Sequence, residues 1–257
     1  MKIIVAGFPK TRTKSVNLAL KILGYTVYDY IENVTILRNE WLKVFSEGWT
    51  KEDFLNMYRN VDAVTDTPTC FFWEEILEAF PDAKIILMTR DDESWYRSVH
   101  NQFEVNKSNL LLTMMRFFSP TYIKSMTAVD LYIYPIIFGI TNPTPWRMLF
   151  GSPSLNRLIS KKKFREHNAH VLQNAPLDQL LVYQCSQGWK SLCKFLGVSI
   201  PQTAFPHENK KGKGIPQLIA NDSMMEPMRR EIMVSLTLLS TATILGGLLL
   251  LTRLTGS

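Results

Sequence analysis

Met1–Gly24 reads MKIIVAGFPKTRTKSVNLALKILG, and this stretch decides the fold. Lys2–Ala6 carries a short apolar run rich in β-branched residues, the pattern of a strand buried on both faces of a parallel sheet. Gly7–Thr13 is a loop. Lys14–Leu23 brings Val16, Leu20 and Leu23 to one helical face, and Gly24 stops the helix. At such a strand–loop–helix junction the first helical N–H groups point outward without partners, and the helix dipole favours an anion there. Lys10, Thr11, Arg12, Thr13, Lys14 and Ser15 surround that point with cations and hydroxyls, so the loop reads as an anion site. It is not a Walker A loop. With Lys14-Ser15 as the Lys-Ser pair, that motif needs glycine where Phe8 and Thr13 stand. An ATPase or GTPase is disfavoured, and a small-molecule kinase stands only as an alternative.

Outward from this stretch, strands and helices alternate. Thr26–Asp29 reads as a second strand, Ala63–Asp66 as a third, Lys84–Thr89 as a fourth and Leu180–Tyr183 as a fifth. Helical segments are expected over Trp41–Tyr58, Phe71–Phe80, from Asp91 or Asp92 towards His100, and over Trp189–Leu196 with Gly197 as its stop. This rhythm indicates an α/β fold with a parallel sheet covered on both faces. Gln102–Lys163 interrupts it with helical, aromatic-rich sequence. Within it Leu131–Ile140 is very apolar but too short to span a bilayer. Core, pocket wall and membrane-surface contact are the readings open to it, with core favoured.

The chain has 257 residues, 46% hydrophobic and 20% charged, with a formal net charge of +6. That suits one sizeable domain with a buried core and an anionic ligand or membrane partner. The basic residues show no interleaving with aromatics, which argues against nucleic acid. Cys70, Cys185 and Cys193 are odd in number and widely spaced, so neither a disulfide framework nor a zinc site is expected. His167 and His170 form an H-x-x-H pair with no further ligand nearby. No metal is expected there, and both read as helix-surface residues. Ile232–Thr252 carries no charge over 21 residues. As a helix this is about 31 Å, enough to cross a hydrocarbon core. Arg229 and Arg230 flank one end and Arg253 the other. The expected organisation is a domain over 1–209, with 102–163 as a helical acceptor-side region, a polar linker over 210–231 and a membrane anchor over 232–252. With no secretory signal ahead of it, the domain is expected to face the cytosol.

Three blocks resemble the P-loop sulfotransferases. Gly7–Ser15 is similar to their donor loop, Pro-[Lys/Arg]-[Thr/Ser]-Gly-Thr-x-Ser. Asp82–Ser98, DAKIILMTRDDESWYRS, resembles the strand, arginine and helix-borne serine that bind the donor's 3′-phosphate, with Arg90 and Ser98 matching by spacing. Leu180–Asn209, LLVYQCSQGWKSLCKFLGVSIPQTAFPHEN, resembles the closing segment of one group in the family. The resemblance implies a P-loop-type three-layer fold with a parallel sheet of about five strands. It also implies 3′-phosphoadenosine 5′-phosphosulfate (PAPS) as donor and transfer of its sulfuryl group to a hydroxyl, or an amine, of a small acceptor.

Within that reading Lys10 stabilises the leaving oxygen, and Asp66, closing the third strand on the same rim, takes the acceptor's proton. His100 is the reserve base. Asp62, at the start of that strand, should point away. Lys10–Ser15 hold the phosphosulfate, and Arg90 and Ser98 the 3′-phosphate. Lys210-Lys211-Gly212 is similar to a basic-glycine segment of some members, though a solvated linker is the simpler reading. Arg12 stands where the family usually has glycine, which permits positive φ or close approach. Arginine there either adds a phosphate contact or blocks the loop. A catalytically inactive, membrane-tethered nucleotide-binding relative is therefore the alternative to an enzyme.

Overall fold

The computed structural model describes residues 1–140, 155–207 and 223–255. The Lys210-Lys211-Gly212 segment, most of the expected linker and residues 141–154 of the helical region lie outside these. Among the described residues, five strands form one fully parallel sheet. They are β1 (Ile3–Val5), β2 (Val27–Tyr28), β3 (Ala63–Val64), β4 (Lys84–Met88) and β5 (Leu180–Tyr183), in the order β2-β3-β1-β4-β5. The central strand β1 sets Ile3 opposite both Ala63 and Lys84.

Alternation along β1 divides the core into two layers. Ile3 and Val5 pack with Val16, Leu20, Ile86 and Met88, beneath α1 (Thr13–Ile22) and α11 (Gly188–Leu196). Ile4 and Ala6 face the other way, onto Phe54, Trp73, Ile85 and Leu87. That side is covered by α3 (Arg38–Glu47), α4 (Lys51–Met57), α5 (Trp73–Ala79) and the rear of α10 (Arg157–Asn174). Each fully buried aliphatic side chain contributes about 1.5–3 kcal/mol relative to exposure. The apolar run in β1 therefore belongs at the centre of the sheet.

The helix expected over Trp41–Tyr58 is two helices, α3 and α4. Gly48, at φ 93°, ends the first, and Thr50 starts the second through a capping box with Asp53. A further short helix, α2 (Tyr30–Thr35), begins directly after β2 with Asp29 and Glu32 as its capping box. Asp91 caps α6 (Asp92–Ser108), accepting from the Ser94 N–H at 2.8 Å. This helix continues well past His100. The apolar Leu131–Ile140 stretch is core on one side. Ile133, Ile137, Phe138 and Ile140, partly in α9 (Tyr134–Phe138), pack with Phe8, Trp95 and Phe164.

The C-terminal helix α12 (Glu226–Thr255) starts inside the stretch expected as linker. Its most apolar window has mean hydropathy 2.0, and none of that window is buried. Its 30 residues measure about 45 Å. Its root is docked. Met225, Met228 and Ile232 pack with Leu112, Met115 and Tyr122 of α7 (Leu110–Phe118) and α8 (Pro120–Ala128). The Glu231 carboxylate accepts from Ser119 Oγ at 2.5 Å, Thr121 N at 3.0 Å and Thr121 Oγ1 at 2.6 Å. Glu231 thus caps the first turn of α8 from another helix, a tie that a freely swivelling linker would not make.

Gly7 shows how tightly the loop is seated. A Cβ there would lie 2.4 Å from Met88 Cβ and 2.9 Å from Met88 N on the neighbouring strand. We expect Gly7→Ala to lose about 1–3 kcal/mol of stability, as an overpacked core does. Thermal or guanidinium melts measure it, and an unchanged midpoint would show that the strand gives way.

Candidate functional site

Because all strands are parallel, the segments after β1, β2, β3 and β4 emerge on one rim. Ligands of open α/β sheets bind there. The rim carries the 7–12 loop, Asp29, Asp66 and Arg90. Among the described residues three non-glycine residues have positive φ, and all three are on this rim: Lys10 at 71°, Arg12 at 77° and Asp66 at 66°. Each costs on the order of 1 kcal/mol and persists only when surrounding contacts determine it. Arg12, at ψ 29°, has the left-handed conformation that glycine adopts without strain. The loop reaches that shape with arginine, and its side chain is exposed.

Several contacts fix the loop. Phe8, 1% exposed, stacks on the His167 ring at 3.9 Å and sits between Trp95 and Phe164. Trp95 Nε1 donates to the Pro9 carbonyl at 2.9 Å, and Thr11 Oγ1 to the Phe8 carbonyl at 2.7 Å. Arg90 Nη1 donates to the carbonyl of left-handed Lys10 at 3.0 Å. The phenylalanine that spoils a Walker motif is thus the plug that roots this loop in the core.

The Lys10 ammonium donates to Gln102 Oε1 at 3.0 Å, and Gln102 Nε2 in turn to Asn106 Oδ1 at 2.8 Å. Burial lowers the pKa of Lys10, and the charges of Arg90 and Lys14 act the same way, against the pull of Asp66. Arg90 is also depressed, by burial first and then by the charge of Arg12. Cations held this close favour an anion among them. The N–H groups of Thr13 and Lys14, at the start of α1, lie at the same place. This donor set suits an anionic ligand.

Asp66 is buried two residues past β3. Its Oδ2 accepts from Thr13 Oγ1 at 3.0 Å and its Oδ1 from the Thr67 N–H at 2.8 Å. Burial, and then the charge of Asp29, raise its proton affinity above that of an ordinary aspartate. Lys14 and the two hydrogen bonds pull the other way. Lys14 is paired with Asp29, whose Oδ2 also accepts from Asn17 Nδ2 at 2.7 Å. Burial opposes the Lys14 charge, but Asp29 and Asp66 outweigh it and raise its pKa.

The rim therefore joins Lys10, Thr13, Lys14, Asp66 and Arg90. Thr11, Thr13 and Ser15 are buried under the loop. Ser98 stands half-buried on α6, in the helix that Arg90 precedes. His100 is exposed against Tyr96. Asp62 bonds Lys2 Nζ and the Thr26 N–H, both at 3.0 Å, at the opposite end of β3. Two rim residues escape a sequence reading. Asp29 announces itself only as the first residue of a D-x-x-E cap, and Gln102 carries no signal at all.

His167 overturns its expected surface position. It is buried, and its Nε2–H donates to the Ala6 carbonyl at 2.6 Å, whereas His170 is exposed and bonds Glu74 Oε2 at 2.5 Å. Among the described residues no group of three or more His, Cys, Asp or Glu side chains could hold a metal ion. Burial lowers the His167 pKa to about 4. An unfolded histidine titrates near 6.5, so the folded state binds fewer protons between these values. Its contribution is complete above about pH 6.5 and is lost as pH falls towards 4, by about 3 kcal/mol. Asp66, raised instead of lowered, contributes with the opposite sign. Comparing wild type with His167→Gln in melts at pH 7.5 and 4.5 isolates the histidine. The variant should lack this share of the acid loss, and parallel pH profiles would refute it.

The Sulfotransferase domain family matches residues 2–213. The chain is also 32% identical over 222 residues, 80% of each chain, to "Ava biosynthesis cluster protein M" of Aspergillus versicolor. A match over that length, on a five-stranded parallel sheet with an anion-suited loop after its central strand, makes this chain a member of the sulfotransferase domain family.

Proposed function

We propose that this protein is a PAPS-dependent sulfotransferase acting on a hydroxyl, or less readily an amine, of a small and rather apolar acceptor. One observation carries the reading. Thr13 of the loop hydrogen-bonds Asp66, so the anion site and a carboxylate of raised proton affinity form one network. The acceptor oxygen forms a bond to sulfur while the bond from sulfur to the donor's 5′-phosphate oxygen breaks. The acceptor proton passes to Asp66, and adenosine 3′,5′-bisphosphate leaves. Lys10, whose side chain Gln102 orients, stabilises charge on the leaving oxygen. Arg12 and the N–H groups of Thr13 and Lys14 complete the phosphosulfate end, with Thr11 and Ser15 buried beside them. Arg90 and Ser98 take the 3′-phosphate. The left-handed Arg12 supports an intact loop over a blocked one, since the backbone already has the shape that glycine would give it.

Adenosine 3′,5′-bisphosphate should raise the melting temperature. At a hundredfold excess over its Kd the gain is about 2.7 kcal/mol. No shift at millimolar ligand would remove the donor site. Asp66→Asn should keep that shift and slow transfer roughly 10²–10⁴-fold. Transfer at the wild-type rate would remove Asp66 as base.

The same proposal extends to the membrane: α12 spans a bilayer as a single C-terminal anchor. Arg229 and Arg230 on the domain side, against Arg253 beyond the span, support a domain facing the cytosol by the bias of flanking cations. The full chain should resist alkaline carbonate extraction from membranes. A chain ending at Ser235, which keeps Glu231 and Ile232 in place, should be extracted. Retention of the shortened chain would refute the anchor.

A further inference from the structure

α7 ends beside the root of α12. Ser235 Oγ donates to the Phe118 carbonyl at 2.8 Å, and Glu231 holds Ser119 and Thr121. The corner from α7 into α8 is therefore level with Glu231–Ser235. The charge-free segment begins at Ile232, so Ser235 lies about 4.5 Å inside it. That segment is about 31 Å long, against a hydrocarbon core of about 30 Å. It has no spare length with which to lift the corner clear of a bilayer that it crosses.

The corner's chemistry suits that depth. Phe117 and Ile123 are 40% and 41% exposed, and on the adjoining turn of α12 Met233 and Val234 are 68% and 57% exposed. Arg116 and Lys124 flank the corner, and Arg229 and Arg230 the helix root. Among the described residues, Glu226 pairs with Arg230 at 2.5 Å and Glu231 accepts from the two hydroxyls. Aromatic and aliphatic side chains ringed by cations are the composition of a segment lying in a membrane interface.

We propose that the α7–α8 corner, Phe117 to Lys124, is a second membrane contact, bedded in the headgroup–acyl boundary beside α12. It rests on the reading of α12 as a span and is independent of the sulfuryl chemistry. The corner adds a second point of attachment and so fixes which side of the domain faces the lipid.

The test uses the full chain in phosphatidylcholine–phosphatidylserine vesicles. A spin label is placed in turn at Phe117→Cys, Ile123→Cys, Val234→Cys, Leu245→Cys and, as a water reference, Leu177→Cys, which is 86% exposed. Cys70, Cys185 and Cys193 are buried, and labelled wild type supplies their background. Collision rates with oxygen and with a water-soluble nickel chelate are compared, after melts confirm that each variant is folded. Either corner position suffices if the other variant fails to fold. The corner labels should give an oxygen-to-chelate ratio near that of Val234→Cys and several-fold above that of Leu177→Cys. A water-like ratio at the corner with a lipid-like Leu245→Cys overturns this inference and leaves the anchor standing. Protection from both colliders, as under a protein partner, overturns it too. A water-like Leu245→Cys removes the anchor and this inference together.

Discussion

The rim depends on a loop held in a conformation that its own residues disfavour. Lys10 and Arg12 have no glycine's freedom, yet both stand at positive φ, and Asp66 faces them in the same state. What holds them is packing from below. Gly7 lies against Met88, Phe8 fills a socket of Trp95, Phe164 and His167, and Arg90 and Trp95 clamp the carbonyls of Lys10 and Pro9. A few kcal/mol of local strain is offset by a core cluster that the loop itself completes. Donors are thereby aimed before any ligand arrives, which is the form in which electrostatic stabilisation is most effective.

Charge on the rim is balanced as a set. Lys14, inside the loop motif, is matched by Asp29 at the end of another strand, and after burial these two charges act in opposite senses on the proton affinity of Asp66. Lys10, Arg12 and Arg90 have no carboxylate hydrogen-bonded to them among the described residues, so their combined positive field remains for an incoming anion. One loop thus serves two opposite ends. Its second lysine is paired with a carboxylate, and its first donates to the neutral Gln102 amide.

The sheet was legible in the sequence because short β-branched runs bounded by turn residues admit few other readings, and parallel strands then force Asp66 and Arg90 onto the loop's rim. The Trp41–Tyr58 region reads as one helix because helical periodicity continues across Gly48, and the glycine stop together with the capping chemistry of Thr50 and Asp53 marks the break. His167 misled because a polar helix of high charge gives no hint that one residue of it is inserted under the loop. Gln102 was invisible because its meaning comes from a contact 92 residues away in the chain. Side-chain partners of that separation are set by tertiary packing, on which local pattern is silent.

The docking of α12 has a mechanical consequence. From Glu226 onward the helix is continuous, and its root is bolted to α7 and α8 on both sides of Glu231. No hinge separates the domain from the apolar segment among these residues, so the two move as one body. A bilayer thinner than the apolar segment makes a spanning helix tilt. With α12 as the proposed span, the tilt of the helix is the tilt of the domain. For the proposed anchor, membrane thickness would then set the angle at which the anion-binding rim meets the lipid surface, as a keel sets the heel of a hull.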